Sequence, residues 1–145
     1  MTANGPESES KAFKKEIRGG VAGSPYPAAV ESNGFTFVAA IGGVDESGKV
    51  VSLIPVEQAA RAIENLKAVL AANGQGSEHV VKCTIYVTDL RHTFMAERAL
   101  KAEFQNGLPA CSWIEVKGLP EGQEISIEAI AVRPSEGKDV YDFMG

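Results

Sequence analysis

Residue types that ligate metals or form disulfides are scarce in this chain. It has two cysteines and two histidines among 145 residues. Cys83 and Cys111 lie too far apart for a short metal-binding motif and are too few for a disulfide framework. His79 and His92 fall in predicted loops, which disfavours a histidine metal site or a Ser-His-Asp triad. We therefore expect no metal site, and reduced thiols of the kind found in the cytoplasm.

Long apolar runs and an excess of positive charge are also missing. No stretch approaches the roughly 20 apolar residues of a membrane helix, and the opening segment, MTANGPESES, resembles neither a secretory nor a transit signal. The net charge of -5 disfavours a nucleic-acid partner, because phosphates bind to basic surfaces. The composition predicts one soluble domain at residues 13–133, with a flexible arm at 1–12 and a polar tail at 134–145.

Two segments have the spacing of amphipathic helices. The first covers residues 55–73, starts with Pro55 and stops before Gly74. Its apolar positions recur at steps of three and four: Val56, Ala59, Ile63, Leu66 and Leu70. The second begins as a turn and covers residues 89–104, and strands are predicted at 14–18, 35–41, 80–87, 111–116 and 125–132. The order β-β-α-β-α-β-β predicts a two-layer α+β domain, with both helices on one face of a mixed sheet.

The last two predicted strands form a β-hairpin in this interpretation. Alternation puts Cys111, Trp113 and Glu115 on one face of the first strand, and Ser126 and Glu128 on one face of the second. A tryptophan, a thiol, a hydroxyl and two carboxylates together suit neither a core nor a solvated surface. We expect the sheet face without helices to be covered by further copies of the chain. Its predicted apolar residues are Ala39, Ile41, Trp113, Ile130 and Val132.

Tyr26 lies between Pro25 and Pro27, in a segment rich in turn-forming residues. The following proline confines a residue's backbone to extended conformations. Such a tyrosine is either an apolar plug or a positioned hydroxyl, and the sequence alone favours the plug.

Five segments together resemble the RidA/YjgF family, also called the L-PSP or reactive-intermediate deaminase family. They are SPYPAAV, NLKAVLAANG, EHVVKCTIYVTDL, LPACSWIEVKGLP and ISIEAIAV, and the resemblance covers about residues 26–132. It implies a chorismate-mutase-like fold and a homotrimer with three ligand clefts between subunits. It also implies hydrolysis of small imines or enamines to a carbonyl compound and ammonia without a cofactor.

The residues of the family's site are largely replaced in this sequence. The arginine that holds the substrate carboxylate aligns with Cys111, and a thiol cannot form the paired bonds of a guanidinium group. Tyr26 is retained. Four other positions differ. The family's water-positioning glutamate aligns with Ser126, and a cysteine of the family aligns with Trp113. A glutamine aligns with Ile41 and an asparagine with Glu97. We therefore expect weak or no deamination of 2-imino acids.

In the favoured function the chain remains an imine hydrolase with a changed substrate. The resemblance then makes Tyr26, Ile41, Trp113 and Cys111 substrate-binding residues. Either Glu97 or Ser126 positions the attacking water. The substrate either lacks a free carboxylate or binds it through another cation, for which Arg133 is a candidate that also suits a surface role.

Three alternatives stay open. Cys111 is a possible nucleophile assisted by Glu97 or Ser126, although no histidine is placed to deprotonate it and most such thiols are inert. The second alternative is a non-catalytic trimer that binds a metabolite or assists a pathway. An endoribonuclease is the least favoured function, because the chain is acidic.

Overall fold

The computed structural model describes residues 13–134, and the predicted arm and nearly all of the predicted tail lie outside the described residues. Two helices, α1 (Pro55–Ala72) and α2 (Thr93–Glu103), pack on one face of a mixed sheet, which confirms the predicted α+β class. The sheet has six strands: β1 (Lys15–Ile17), β2 (Ala29–Ser32), β3 (Phe35–Gly42), β4 (Val80–Val87), β5 (Ala110–Glu115) and β6 (Ile125–Val132).

Both predicted helices are present. Pro55 begins α1, where a missing N–H breaks no helical hydrogen bond, and Gly74 follows its end with a φ of 70°. α2 starts after a 3₁₀ turn in which the Asp89 carboxylate accepts the Arg91 backbone N–H at 2.9 Å. Val56, the first member of the predicted apolar stripe of α1, is exposed, and the rest of the stripe is buried: Ala59, Ile63, Leu66 and Leu70.

The strands lie in the order β1-β2-β3-β6-β4-β5. Every neighbouring pair is antiparallel except β4 and β5, which are parallel. The sequence prediction missed β2, because its four residues directly follow the Pro/Gly-rich segment and are too few to show an alternation. The observed order along the chain is therefore β-β-β-α-β-α-β-β.

The predicted β-hairpin is wrong. β5 and β6 are not paired; β6 lies between β3 and β4, and β5 is the edge strand beyond β4. α2 forms a crossover from β4 to β5, and a crossover of this kind produces a parallel pair. The connection from β5 to β6 then passes over β4, so the two strands are separated although they are close in sequence.

The predicted mixed face of the sheet is also wrong. Paired residues share a face, and the register pairs Cys111 with Cys83 and Trp113 with Ile85, whose side chains belong to the core beneath the helices. Ser126 belongs to the opposite face. Cys111 and Trp113 therefore lie on the helix-covered side of the sheet, away from the side that carries Ser126 and Glu128. The prediction divides each strand correctly into two faces. Its error is to assign the Cys111 face of β5 and the Ser126 face of β6 to the same side of the sheet.

A β-bulge changes the face of Ile41. The register of β3 against β6 shifts between Val38 and Ile41, which then pairs with the buried Ile127. The half-buried Ile41 side chain consequently packs against the core and does not lie on the uncovered face, contrary to the prediction. Ala39 lies in the bulge itself.

No element within residues 13–134 covers the second face of the sheet, which we call the open face. Ile130 and Val132 lie on it as predicted, each half-buried. Phe35 and Phe37 also lie there, 45% and 48% exposed, with their rings stacked and their centroids 6.3 Å apart. Within the described part of the chain, neither helix is long and apolar enough to cross a membrane.

Candidate functional site

A cavity lies where α1 meets the end of β3 and the turn-rich segment of residues 18–28. We call it the α1 cavity, and its volume is about 610 Å³. Tyr26 and Ile41, two of the predicted substrate-binding residues, both line it. Small side chains form much of the remaining wall, including Ala39, Ala40, Ala68 and Ala72.

Tyr26 stands at this cavity with its side chain largely in solvent. Its backbone N–H donates a hydrogen bond to Ser24 Oγ at 3.2 Å, which closes a tight turn before Pro27. The residue is 76% exposed, so it is not a plug in the core of its own chain, contrary to the prediction. An exposed aromatic hydroxyl held on a restrained backbone is instead available to a ligand or to a neighbouring chain.

Two amide side chains of α1, one buried and one half-buried, join the helix to the loops beside the cavity. Gln58 is fully buried; its Nε2 donates to the Ser52 carbonyl at 3.0 Å, and its Oε1 accepts the Glu124 N–H at 2.9 Å. Asn65 Nδ2 donates to the carbonyls of Gly42 and Val44, both at 2.9 Å. These bonds hold the end of β3 against the helix and give the cavity a fixed wall.

A second group of predicted site residues lies at the β5 edge of the sheet. Cys111 is exposed, and its Sγ–H donates to the Pro109 carbonyl at 3.5 Å. Burial raises the pKa of this thiol; Lys82 opposes the rise, and the nearby Glu97 carboxylate adds to it. Trp113, two residues further along β5, is half-buried against the core.

The environment of Cys111 disfavours a catalytic thiolate. Its neighbour Cys83 is fully buried, and burial raises the pKa of that thiol to about 12. Both histidines contact other groups, His79 Nδ1 accepting the Gly76 N–H at 3.0 Å and His92 Nε2 lying 3.4 Å from Glu124 Oε1. A nucleophilic thiol needs a base or a positive neighbour that favours the thiolate, and here the pKa of Cys111 is raised.

Ser126 belongs to neither group. It is buried on β6 and lies on the open face, opposite Tyr86 and Gly42 in the neighbouring strands. Glu128, two residues further along, accepts a hydrogen bond from the Tyr86 hydroxyl at 2.8 Å, which raises the pKa of Tyr86. Ser126 thus marks the middle of the sheet, between the strand that ends at the cavity and the β5 edge.

One chain therefore does not bring the six predicted cleft residues together. Ile41 lies on β3 and Cys111 on β5, which is three strands away in the sheet. With neighbouring strands about 4.8 Å apart, this separation is roughly 14 Å. The structure groups Tyr26 with Ile41 at the cavity beside β3, and Glu97 with Cys111 and Trp113 at the β5 edge of the sheet.

Two charged residues weighed as functional candidates have structural partners. Arg133 Nε donates to Glu31 Oε2 at 3.0 Å, and its guanidinium also donates to the Asn73 carbonyl, so it is not a free cation for a substrate. Glu115 accepts the Leu90 N–H at 3.0 Å and so anchors the turn before α2.

The sequence prediction missed the polar residues that α1 contributes to the cavity. Arg61 and Asn65 both line it, and the Arg61 Nε donates to Asn65 Oδ1 at 3.1 Å. The available signal was their spacing of four residues on the flank of the apolar stripe, which puts two side chains on one helix face. Nothing in the sequence alone distinguishes that flank from an ordinary solvated surface.

Fold and cavity together define a small α+β protein with a ligand-sized cavity between α1 and the end of β3, and with a sheet face that no element of residues 13–134 covers. The sequence profile of the family described as "Endoribonuclease L-PSP" matches residues 20–133. The chain therefore belongs to the RidA/YjgF/L-PSP family.

Individual relatives agree with this assignment. A protein named 2-iminobutanoate/2-iminopropanoate deaminase from Mus musculus is 36% identical over 110 residues, which cover 75% of this chain and 82% of that protein. Protein DfrA from Myxococcus xanthus is 46% identical over 77 residues, which cover 53% of this chain and 59% of that protein. The crystal structure of the YjgF gene product from E. coli has a TM-score of 0.76 at 31% identity, with 82% of this chain and 98% of that chain covered.

Proposed function

We propose that the chain forms a homotrimer that hydrolyses a small imine or enamine in clefts between subunits. In each cleft, Tyr26 and Ile41 of one chain face Glu97, Cys111 and Trp113 of its neighbour. The observation that carries this proposal is the separation of the two groups of residues, which lie three strands apart in one sheet. A cleft that contains both groups requires two chains, and the open face with Phe35 and Phe37 offers an apolar surface for the assembly.

The chemistry needs only water and a way to move protons. Water adds to the carbon of the C=N bond, and the nitrogen takes a proton. The C–N bond of this adduct then breaks, which releases ammonia and leaves a C=O group. Glu97 would hydrogen-bond the attacking water, while Tyr26, Ile41 and Trp113 would hold the substrate. Ser126, the other candidate for the water, is buried on the opposite face of the sheet and does not enter this scheme. No cofactor or metal enters this scheme, and relatives named as deaminases of 2-iminobutanoate and 2-iminopropanoate support the reaction class.

The substrate is expected to differ from the smallest 2-imino acids. Cys111 stands where the family resemblance places a carboxylate-binding arginine, and a neutral thiol with a raised pKa offers no charge to a carboxylate. Either the substrate lacks a carboxylate or another cation of the chain holds it. We expect 2-iminopropionate to be a poor substrate in both cases.

A coupled assay tests the hydrolase. An amino-acid oxidase or an amine oxidase would generate imines in place, with semicarbazide as a competing trap, and the purified protein should lower semicarbazone formation from at least one of them. Glu97→Gln should lower that rate by about 100-fold or more, because it removes the carboxylate that positions the water. Lys101→Gln, which removes an exposed charge elsewhere on α2, should leave the rate unchanged.

Failure of this assay with every imine of the panel would overturn the hydrolase and favour the non-catalytic metabolite-binding trimer. Degradation of RNA by repurified protein would instead favour an endoribonuclease, the activity in the description of the matching family, although the net charge of -5 opposes it. A cytoplasmic location belongs to the same proposal, and the two free thiols support it.

A further inference from the structure

Arg61 is the one guanidinium of the described chain that lines the α1 cavity from a helix. Its Nε donates to Asn65 Oδ1 at 3.1 Å, and within residues 13–134 this is the only hydrogen bond that its guanidinium makes. Asn65 is itself fixed by the carbonyls of Gly42 and Val44. The guanidinium is therefore oriented by its shared bond with a restrained amide, while its Nη–H donors remain available.

Two other arginines near the cavity already have protein partners. Arg18, which also lines the cavity, pairs with Glu16 at 2.7 Å and donates to the Pro25 carbonyl. Arg133 is bound by Glu31 and the Asn73 carbonyl. Arg61 is thus the cavity cation whose charge has no protein counter-ion within the described residues.

Neither acidic residue of the cavity wall forms an ion pair with Arg61. Asp45 Oδ1 accepts hydrogen bonds from Ser47 and from the Lys49 N–H, which lowers the pKa of Asp45 and commits this oxygen to its own turn. Glu46 also lines the cavity but forms no ion pair with Arg61. A half-buried guanidinium that two nearby carboxylates leave unpaired favours an incoming anion, and a carboxylate matches its paired donors.

We infer that Arg61, oriented by Asn65, binds the carboxylate of the ligand in the α1 cavity. Resting on the proposed function, this inference narrows the substrate class to imines that bear a carboxylate and an apolar body larger than that of 2-iminopropionate. The alanine-rich wall suits such a body, and about 610 Å³ is in the range of ligand pockets, well above the need of a three-carbon acid. The charge lost at position 111 is thereby replaced by a charge on α1.

Binding of a keto acid tests this inference without any turnover. The probe is 4-methyl-2-oxopentanoate, the product expected from a branched imine, titrated into the full-length protein by calorimetry; its methyl ester serves as the neutral probe. Arg61→Gln should weaken binding of the acid by at least about tenfold, equivalent to about 1.4 kcal/mol, and leave binding of the ester unchanged. Arg61→Lys should give an intermediate loss, because a point charge forms no paired bonds.

The matched control is Lys101→Gln, which removes the same charge from an exposed position outside the cavity and should change neither affinity. Three results would overturn the inference: equal binding of the acid by the wild-type protein and Arg61→Gln, equal binding of acid and ester by the wild-type protein, or no binding of the acid at millimolar concentration. Charge-dependent binding without imine turnover would support the anion site and reject only the hydrolase. Turnover of a large imine at a rate that Arg61→Gln leaves unchanged would support the hydrolase and reject the anion site.

Discussion

At the scale of single residues, the ion pair of Glu31 and Arg133 links β2 to the residue that follows β6. The hydrogen bond from Arg133 lowers the pKa of Glu31 below its usual value of 4.5, against the opposing effect of burial, and Asn73 adds a further bond. A lowered folded-state pKa contributes stability that is present above the unfolded pKa and is lost as the pH falls through the folded pKa. The pair should therefore stabilise the fold at neutral pH and lose its effect in acid.

We predict that Glu31→Gln lowers the free energy of unfolding at pH 7 by about 1 kcal/mol, and that this difference shrinks as the pH falls below 4.5. Urea unfolding followed by circular dichroism at a series of pH values measures the difference. Glu64→Gln, a change at an exposed carboxylate on α1, is the control and should show no such trend. A constant difference between wild type and Glu31→Gln from pH 7 to pH 3 would contradict the prediction.

Residue identities alone predict part of the candidate site. Tyr26 and Ile41 are both expected at the ligand, and both line the α1 cavity, although Ile41 reaches it from the opposite face to the one predicted. The reason is a bulge, which inserts one position into β3 and cannot be located from an alternating pattern of alanines. Arg61 was missed because an arginine on a helix flank is usually a solvated residue, and only the cavity beside it makes it a candidate for ligand binding.

At the scale of elements, the packing of α1 on the end of β3 depends on a glycine. A Cβ built on Gly43 would lie 2.3 Å from the Gln58 backbone oxygen and 2.7 Å from its Cα. No side-chain movement can relieve such a contact, because both atoms belong to the helix backbone. The helix must shift away from β3, and the hydrogen bonds of Gln58 to the neighbouring loops are then strained.

We predict that Gly43→Ala destabilises the fold by about 2 to 3 kcal/mol, in the range of an overpacked core. Gly118→Ala is the matched control, since a Cβ there meets nothing within 4 Å, and it should be nearly neutral. Thermal or urea unfolding of the two variants gives the comparison. Equal stability of the two would show that α1 has room to move at this contact.

The elements themselves are easier to predict from the sequence than their partners. The three-and-four spacing within residues 55–73 is local information, and it predicts α1 to within one residue of its observed end. The pairing of β5 is not local: it depends on α2 carrying the chain across to the far side of β4. Local alternation divides each strand into two faces, but it does not say which face of β5 continues which face of β6, so Cys111 and Ser126 were put on the same side.

At the scale of the whole molecule, the open face offers a place for an assembly to form. Phe35, Phe37 and Ile130 form its apolar part, and a small hollow of about 250 Å³ beside them is lined by Lys82, Thr84 and Glu128 among others. Phe37 is 48% exposed although it lies on a strand inside the sheet and not at its edge. Leaving such a ring in water forgoes a burial contribution of about 1 kcal/mol or more, which contact with another chain would supply.

We predict that Phe37→Glu converts the proposed trimer into monomers, because each interface would then bury a carboxylate without a partner. Light scattering coupled to size-exclusion chromatography should give the mass of three chains for the wild type and the mass of a single chain for the variant. Leu53→Glu, which introduces the same charge at a residue that is 81% exposed in the loop before α1, should remain trimeric. A wild-type protein that is monomeric at all concentrations would contradict both the assembly and the shared cleft, since Tyr26 and Cys111 would then have no common ligand.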